Sequence, residues 1–271
     1  MKQQLCSRLL FLFLLPFLHA ALHADGIMLL DSRDRFSSAW RKMQETPPEN
    51  LSEDELFLMA SYCKEGRKDV PVHPARARRI FRMLKERVES SGKTDGRHLF
   101  LLGVSIQNAA CGACDNARAY QYISKAAEAG YPPAMTMAAF MLVKGIGTRA
   151  DPDAALKQLE KAAARNDLTA KAYLASYCLG TGKDLPRGIM LAKESSGAGN
   201  RAGRYTLAMA YEKGVGVKKN YAQALRLYQA AADQGLEDAR DRLKWLKQAL
   251  NIPEKQYIDD LFITTLSHAD N

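Results

Sequence analysis

Ala224-Leu-Arg-Leu-Tyr-Gln-Ala-Ala-Ala-Asp-Gln-Gly235 is the third appearance of one pattern in this chain. Ala155-Leu-Lys-Gln-Leu-Glu-Lys-Ala-Ala-Ala-Arg-Asn166 and Ala119-Tyr-Gln-Tyr-Ile-Ser-Lys-Ala-Ala-Glu-Ala-Gly130 precede it, at offsets of 69 and a further 36 residues. The larger gap leaves room for one shortened unit, Tyr173–Gly180 followed by Gly188–Gly199. An earlier, divergent unit runs from Leu56–Gly66 to Ala77–Val88. Self-similarity at such a period is the signature of stacked repeats. Five units are expected, over about 54–97, 98–134, 135–170, 171–203 and 204–239.

Each unit reads as an amphipathic helix, a glycine-containing turn and a second amphipathic helix. Lys144-Gly145-Ile146-Gly147 and Lys213-Gly214-Val215-Gly216 are the clearest turns, where the chain leaves a helix through positive φ. Ala60, Gly103, Ala139, Ala175 and Ala208 fall in one column of small residues, which lets paired helices approach closely. Leu56/Met59/Cys63, Leu99/Leu102/Ile106, Met135/Ala138/Leu142 and Arg204/Leu207/Tyr211 flank that column as a buried stripe, with Arg204 the one anomaly. No segment has a strand period, so the fold class is all-α, a solenoid of helix-turn-helix repeats.

The pattern Leu207-Ala208-x-x-Tyr211-x-x-Gly214-x-Gly216, then Ala224-x-x-x-Tyr228-x-x-Ala231-Ala232-x-x-Gly235, resembles the Sel-one-like repeat family, relatives of the tetratricopeptide repeats. The resemblance covers about Asp54–Ala239. It implies a right-handed α/α superhelical solenoid that serves as a non-catalytic adaptor for other proteins. In such solenoids the first helix of each pair lines the concave face. Carrying the position next to Ala208, and the one a turn earlier, through the repeats gives a candidate protein-binding groove: Phe57, Ser61, Phe100, Val104, Thr136, Phe140, Ala172, Ser176, Tyr205 and Met209. The competing expectation is that these side chains pack sideways between neighbouring first helices.

Outside the repeats, Met1–Ala24 has Lys2 and Arg8, an apolar Leu9–Leu18 and small residues before Asp25. This reads as a cleavable signal peptide and places the mature protein in a secreted or periplasmic compartment. Its loss lowers the net charge from +9 to +7. No integral membrane domain then remains, since no other apolar run is long enough. Residues 25–53 read as an entry segment, with a helix over Asp31–Met43 ended by Pro47-Pro48. Ser52 and Glu55 have capping-box spacing. Within 240–271, Asp238–Leu250 and Pro253–Ser267 read as closing helices, and Leu261-Phe262-Ile263 as a segment able to dock.

The chain of 271 residues is 47% hydrophobic, enough for a large core. Its positive charge concentrates at Arg76, Arg78, Arg79, Arg82, Lys85 and Arg87. Ala77, Ile80, Phe81, Leu84 and Val88 form the buried stripe of that helix and leave Arg76, Arg79, Arg82 and Lys85 as an outer basic face. It is either a solvated face or a site for an anionic envelope component; nucleic acid is not an expected partner.

Four cysteines lie outside the leader. Cys63 and Cys178 share the column of Tyr211 three units apart, too far to bridge. Either both are core residues, or Cys63 pairs with Cys111 or Cys114 in the next unit. Cys111-Gly112-Ala113-Cys114, just before a helix start, is a possible disulfide, read as a loop staple or as a thiol-redox pair. The histidines His73, His98 and His268 stand at no ligand spacing to it, so neither a metal nor a cofactor is expected. Ser61-Tyr62-Cys63-Lys64 has the Ser-x-x-Lys spacing of penicillin-recognising enzymes without their companion motifs. A cysteine-rich secreted branch of the resembling family is associated with β-lactam binding, which keeps an enzyme-like alternative beside the adaptor reading. The expected partner is a protein or peptide whose identity the residues do not name.

Overall fold

The repeats begin at a reciprocal cap. Ser52 Oγ accepts from Glu55 N at 3.2 Å, and the Glu55 carboxylate accepts from Ser52 N at 2.8 Å. This is the capping box expected from the spacing, and it opens α1 (Glu53–Glu65). A computed structural model describes residues 40–66, 70–109 and 113–252, with backbone alone at 113 and 114. Helices α2 (Pro74–Ser91), α3 (Gly96–Ala109), α4 (Ala113–Glu128), α5 (Pro132–Lys144) and α6 (Pro152–Ala164) follow. Then come α7 (Leu168–Thr181), α8 (Leu185–Gly197), α9 (Arg201–Lys213), α10 (Tyr221–Asp233) and α11 (Glu237–Ala249). No strand occurs among the described residues.

Side-chain caps decide where most helices start. Asp151, Asp167, Asp184, Asn200 and Asn220 each accept the backbone N–H three residues on, opening α6 to α10. The first helices of the third, fourth and fifth units begin at Pro132, Leu168 and Arg201, the last two at the Asp167 and Asn200 caps. Cap and first turn precede the first residue of the buried stripe.

Two caps also join units. Asp167 Oδ1 accepts from Ala170 N in its own helix and from Thr136 Oγ1 in α5 at 3.1 Å. Asn200 caps Gly203 N and donates from Nδ2 to Thr169 Oγ1 in α7 at 3.0 Å. The same side chain thus sets the start of one unit and its register on the previous one.

Consecutive helices pack as antiparallel neighbours from α1 to α11, and α7 also packs directly on α9. The small-residue column lies in these joints. Ala60, Ala139, Ala175 and Ala208 are fully buried. A Cβ on Gly103 would come within 2.7 Å of Ile123 Cγ1, so α3 and α4 pack at a separation only glycine allows. The Gly147 turn is equally constrained: φ is +68°, and a Cβ there would lie 2.0 Å from the Asn116 carbonyl oxygen. The result is the right-handed α/α superhelical solenoid of helix-turn-helix repeats.

Both ends are covered. Residues 40–45 are helical, and Trp40 packs edge-on against Tyr62 with ring centroids 6.1 Å apart. At the other end α11 buries Ala239, Leu243 and Leu246. Glu212, buried in α9, accepts from Tyr228 Oη at 2.7 Å and from Arg242 Nε of α11 at 2.9 Å. These bonds hold α11 against α9 and α10 at the end of the described residues. The expected leader over 1–24 and the expected helix over Pro253–Ser267 lie outside the described residues. No helix among the described residues is long and apolar enough to cross a membrane.

One contact spans the whole repeat array. Arg201 Nη2, at the start of α9, donates to Glu65 Oε2, at the end of α1, at 2.8 Å, and both side chains are 3% exposed. Arg201 Nη1 donates to the Gln234 carbonyl at 3.2 Å. The first and fifth units therefore meet through a buried ion pair.

At the start of α11, burial, reinforced by Asp241 and Glu237, pushes the Asp238 carboxyl up to about 6. The folded chain holds this proton more tightly than the unfolded one, so stability falls as pH rises towards and through 6. Asp238→Asn should gain about 1 kcal/mol at pH 7.5, a figure reduced for the group's partial exposure. At pH 4 the gain should vanish. Urea unfolding at the two pH values checks this; an equal gain at both would show that charge is not the cause.

A candidate binding pocket between the fourth and fifth units

The expected apolar groove does not exist as a surface. Phe57, Phe100, Val104 and Ala172 have no exposed area; Ser61, Thr136, Ser176 and Tyr205 are also buried. The Phe57 ring lies 6.4 Å from Phe81 of α2 and 6.0 Å from Phe100 of α3. Phe100 lies 5.4 Å from Tyr131, and Tyr205 5.4 Å from Tyr228. The position beside the small-residue column faces the second helix of its own unit and the neighbouring first helix. Sideways packing, not a groove, is the role of these side chains. Of the ten, only Phe140 and Met209 are partly exposed.

Two of the ten do come together at a cavity. A half-open pocket of about 170 Å³ lies between α7 and α9, lined by Ser176, Leu179, Gly180, Thr206, Met209, Ala210, Lys213 and Val215. Its origin is a change of side-chain size along the repeats. Ala139, Ala175 and Ala208 mark equivalent positions, so Phe140, Tyr173 and Tyr177 at the α5–α7 joint answer to Ser176, Thr206 and Ala210 at the α7–α9 joint. Three aromatic rings give way to a hydroxymethyl, a threonine and a methyl. The space they would fill stays open.

The floor carries hydroxyls: Ser176 is 2% exposed, and Thr206 Oγ1, fully buried, has no hydrogen-bond partner among the described residues. Leu179, Met209, Ala210 and Val215 give apolar walls, and exposed Lys213 puts an ammonium group at the rim. A dry cavity of about 150 Å³ takes a benzene ring, so this volume suits one aromatic or branched aliphatic side chain. Reading side-chain size down the aligned columns would have located it in the sequence; carrying two positions through every unit named Ser176 and Met209 without separating them from the core positions.

The other candidate groups are scattered. Cys63 and Cys178 are free, buried thiols, and burial pushes the pKa of each up, making both poor nucleophiles. Cys111 and the Cys114 side chain lie outside the described residues. Ser61 Oγ, also buried, has no hydrogen-bond partner among the described residues, and Lys64 Nζ is bound to Asn108 Oδ1 at 2.6 Å. The Ser-x-x-Lys spacing thus assembles no activated serine. No group of three or more His, Cys, Asp or Glu side chains able to hold a metal occurs among the described residues.

A polar joint ties the first two units together. His98 Nδ1 is 2.5 Å from Asp95 Oδ2, and its Nε2 is 3.3 Å from Glu53 Oε2. Arg97 bonds Glu53 at 2.9 Å and Asp54 at 2.7 Å. On α2, Arg76, Arg78, Arg79 and Arg82 are exposed, whereas Lys85 Nζ pairs with Glu89 at 2.7 Å and Arg87 turns inward onto the Leu51 and Glu49 carbonyls. The basic face is thus a patch of four arginines over the first half of α2.

The Sel1 repeat family matches the chain four times, over residues 107–131, 132–167, 169–194 and 202–236. The second of these matches covers the pair α5–α6 whole, and the fourth covers α9–α10 except for Arg201. Residues 107–236 carry Sel1 repeats. The first unit, α1–α2, lies upstream of the matched segments. The Sel1-repeat chain is 27% identical over 247 residues to DAP3-binding cell death enhancer 1 of Mus musculus, covering 73% of this chain. It spans about half, 48%, of that relative's length. Among solved structures it is similar to a Sel1 repeat protein from Oxalobacter formigenes, at 20% identity and a TM-score of 0.49, over 86% of this chain and 96% of that one. A second is c5321, a protective antigen of uropathogenic Escherichia coli with an SLR fold, at 18% identity and a TM-score of 0.45, over 81% of this chain and 53% of that one.

Proposed function

We propose that this Sel1-repeat protein is an exported, non-catalytic scaffold that holds a protein segment by one apolar side chain seated between α7 and α9. The supporting observation is the pocket itself. Its volume fits a single Phe, Leu or Ile side chain, its walls are apolar, and its rim is cationic. The occupant is accordingly a peptide segment with an aromatic or branched residue next to an aspartate or glutamate. The Thr206 hydroxyl offers the backbone of that segment a polar floor.

The test is a peptide-display selection on the wild-type chain, with counter-selection on Ser176→Phe, which restores the ring found at Phe140 one unit earlier. Enriched peptides should carry the hydrophobic–acidic pair and lose about 2 kcal/mol, roughly 30-fold in affinity, on the filled protein. Peptides that bind both proteins equally would place the site elsewhere. Export has its own check: N-terminal sequencing of protein expressed in its own host should find a start near Asp25. Recovery of intact Met1 from a membrane fraction would overturn that part.

A further inference from the structure

From the α2 surface we infer that the protein docks on an anionic phospholipid surface, independently of the α7–α9 pocket. Elsewhere in the solenoid several cations sit on carboxylates: Arg97 on Glu53 and Asp54, Lys171 on Glu194, Arg187 on Glu160, Arg242 on Glu212. Arg76, Arg78, Arg79 and Arg82 are exposed and have no carboxylate partner among the described residues. Their placement works against the helix. The first turn of α2 holds no acid, and its cap His73 makes no side-chain bond, so Arg76 faces the positive end of the helix dipole. Stability alone would place acids there. Four clustered guanidinium groups also repel one another, and that cost is recovered only on meeting an anion.

The shape and chemistry of the patch favour a lipid surface over a protein or a nucleic acid. Guanidinium forks match phosphate oxygens in pairs. The buried stripe of α2 turns these arginines outward, so they meet a broad surface without a cleft. Val72, 54% exposed, leads into the same helix end with exposed Pro71, Pro74 and Ala75. An apolar tip beside basic side chains can enter the headgroup boundary while the arginines stay at phosphate level.

The experiment is co-sedimentation of the full chain with vesicles of phosphatidylcholine alone and of phosphatidylcholine with 30% phosphatidylglycerol. The reference is the same chain carrying Arg76→Gln, Arg79→Gln and Arg82→Gln, so any contribution of the leader is common to both. Binding should require phosphatidylglycerol, weaken with salt, and drop about fivefold per arginine, roughly 100-fold for the three. Val72→Ser should weaken it further without changing the salt dependence. Circular dichroism should show both variants folded, since all four side chains are exposed, and Ser176→Phe should leave vesicle binding unchanged. A triple variant that binds as wild type would overturn the proposal, as would equal binding to phosphatidylcholine alone. So would displacement from vesicles by double-stranded DNA or polyglutamate at matched charge, which would make the partner a nucleic acid or an acidic protein.

Discussion

Glu65→Ala should lower the stability of the chain by about 3–5 kcal/mol, because it leaves the Arg201 guanidinium buried without its carboxylate. For a chain of this size that is roughly 10 °C in melting temperature. The pair connects the end of α1 with the start of α9, so its loss also releases the first unit from the fifth. Replacing both residues together, as Glu65→Met with Arg201→Met, should recover most of the loss, since a buried pair and an apolar pair of similar volume are often close in energy. Differential scanning calorimetry of the two single variants and the double variant makes the comparison. If Glu65→Ala melts within 2 °C of wild type, the first and fifth units do not meet in solution.

Phe100→Ala should cost about 3–5 kcal/mol as well, through a different mechanism. The ring is fully buried, packed between Phe57 and Tyr131, and its removal leaves a cavity at the joint of the first two units. Peptide binding at α7–α9 should persist in whatever fraction of Phe100→Ala remains folded, because the two places share no side chain. Chemical unfolding gives the stability, and titration of the folded variant with a selected peptide gives the affinity. Loss of affinity without loss of stability would restore Phe100 to a binding role.

The helical pairs were readable because each unit repeats the same small-residue column and glycine turns, and because Ser52 with Glu55 obeys a local capping rule. Local chemistry of that kind acts over three or four residues. Two features lay beyond it. The Glu65–Arg201 contact joins residues with seven helices between them in the chain, and no period in the sequence aligns them. The pocket depends on what is missing: Ser176, Thr206 and Ala210 stand where an earlier joint has Phe140, Tyr173 and Tyr177. Carrying two first-helix positions through the repeats named Phe57, Phe100 and Tyr205, whose size fills the core, together with Ser176 and Met209, which line the pocket. In a stacked array, an aromatic residue facing the next unit serves packing, and a small one at the same position opens a site.

Methionine methyl NMR tests the binding account most directly. The chain has ten methionines, and Met209 is a pocket wall, while Met59 and Met141 are core side chains with almost no exposure. Titrating ¹³C-methyl-labelled protein with a peptide selected on the wild type should move the Met209 resonance, assigned through Met209→Leu, along a saturable curve. The Met59 and Met141 resonances should stay in place, and Ser176→Phe should abolish the Met209 response. A peptide that binds while the Met209 methyl remains unshifted would contradict the account.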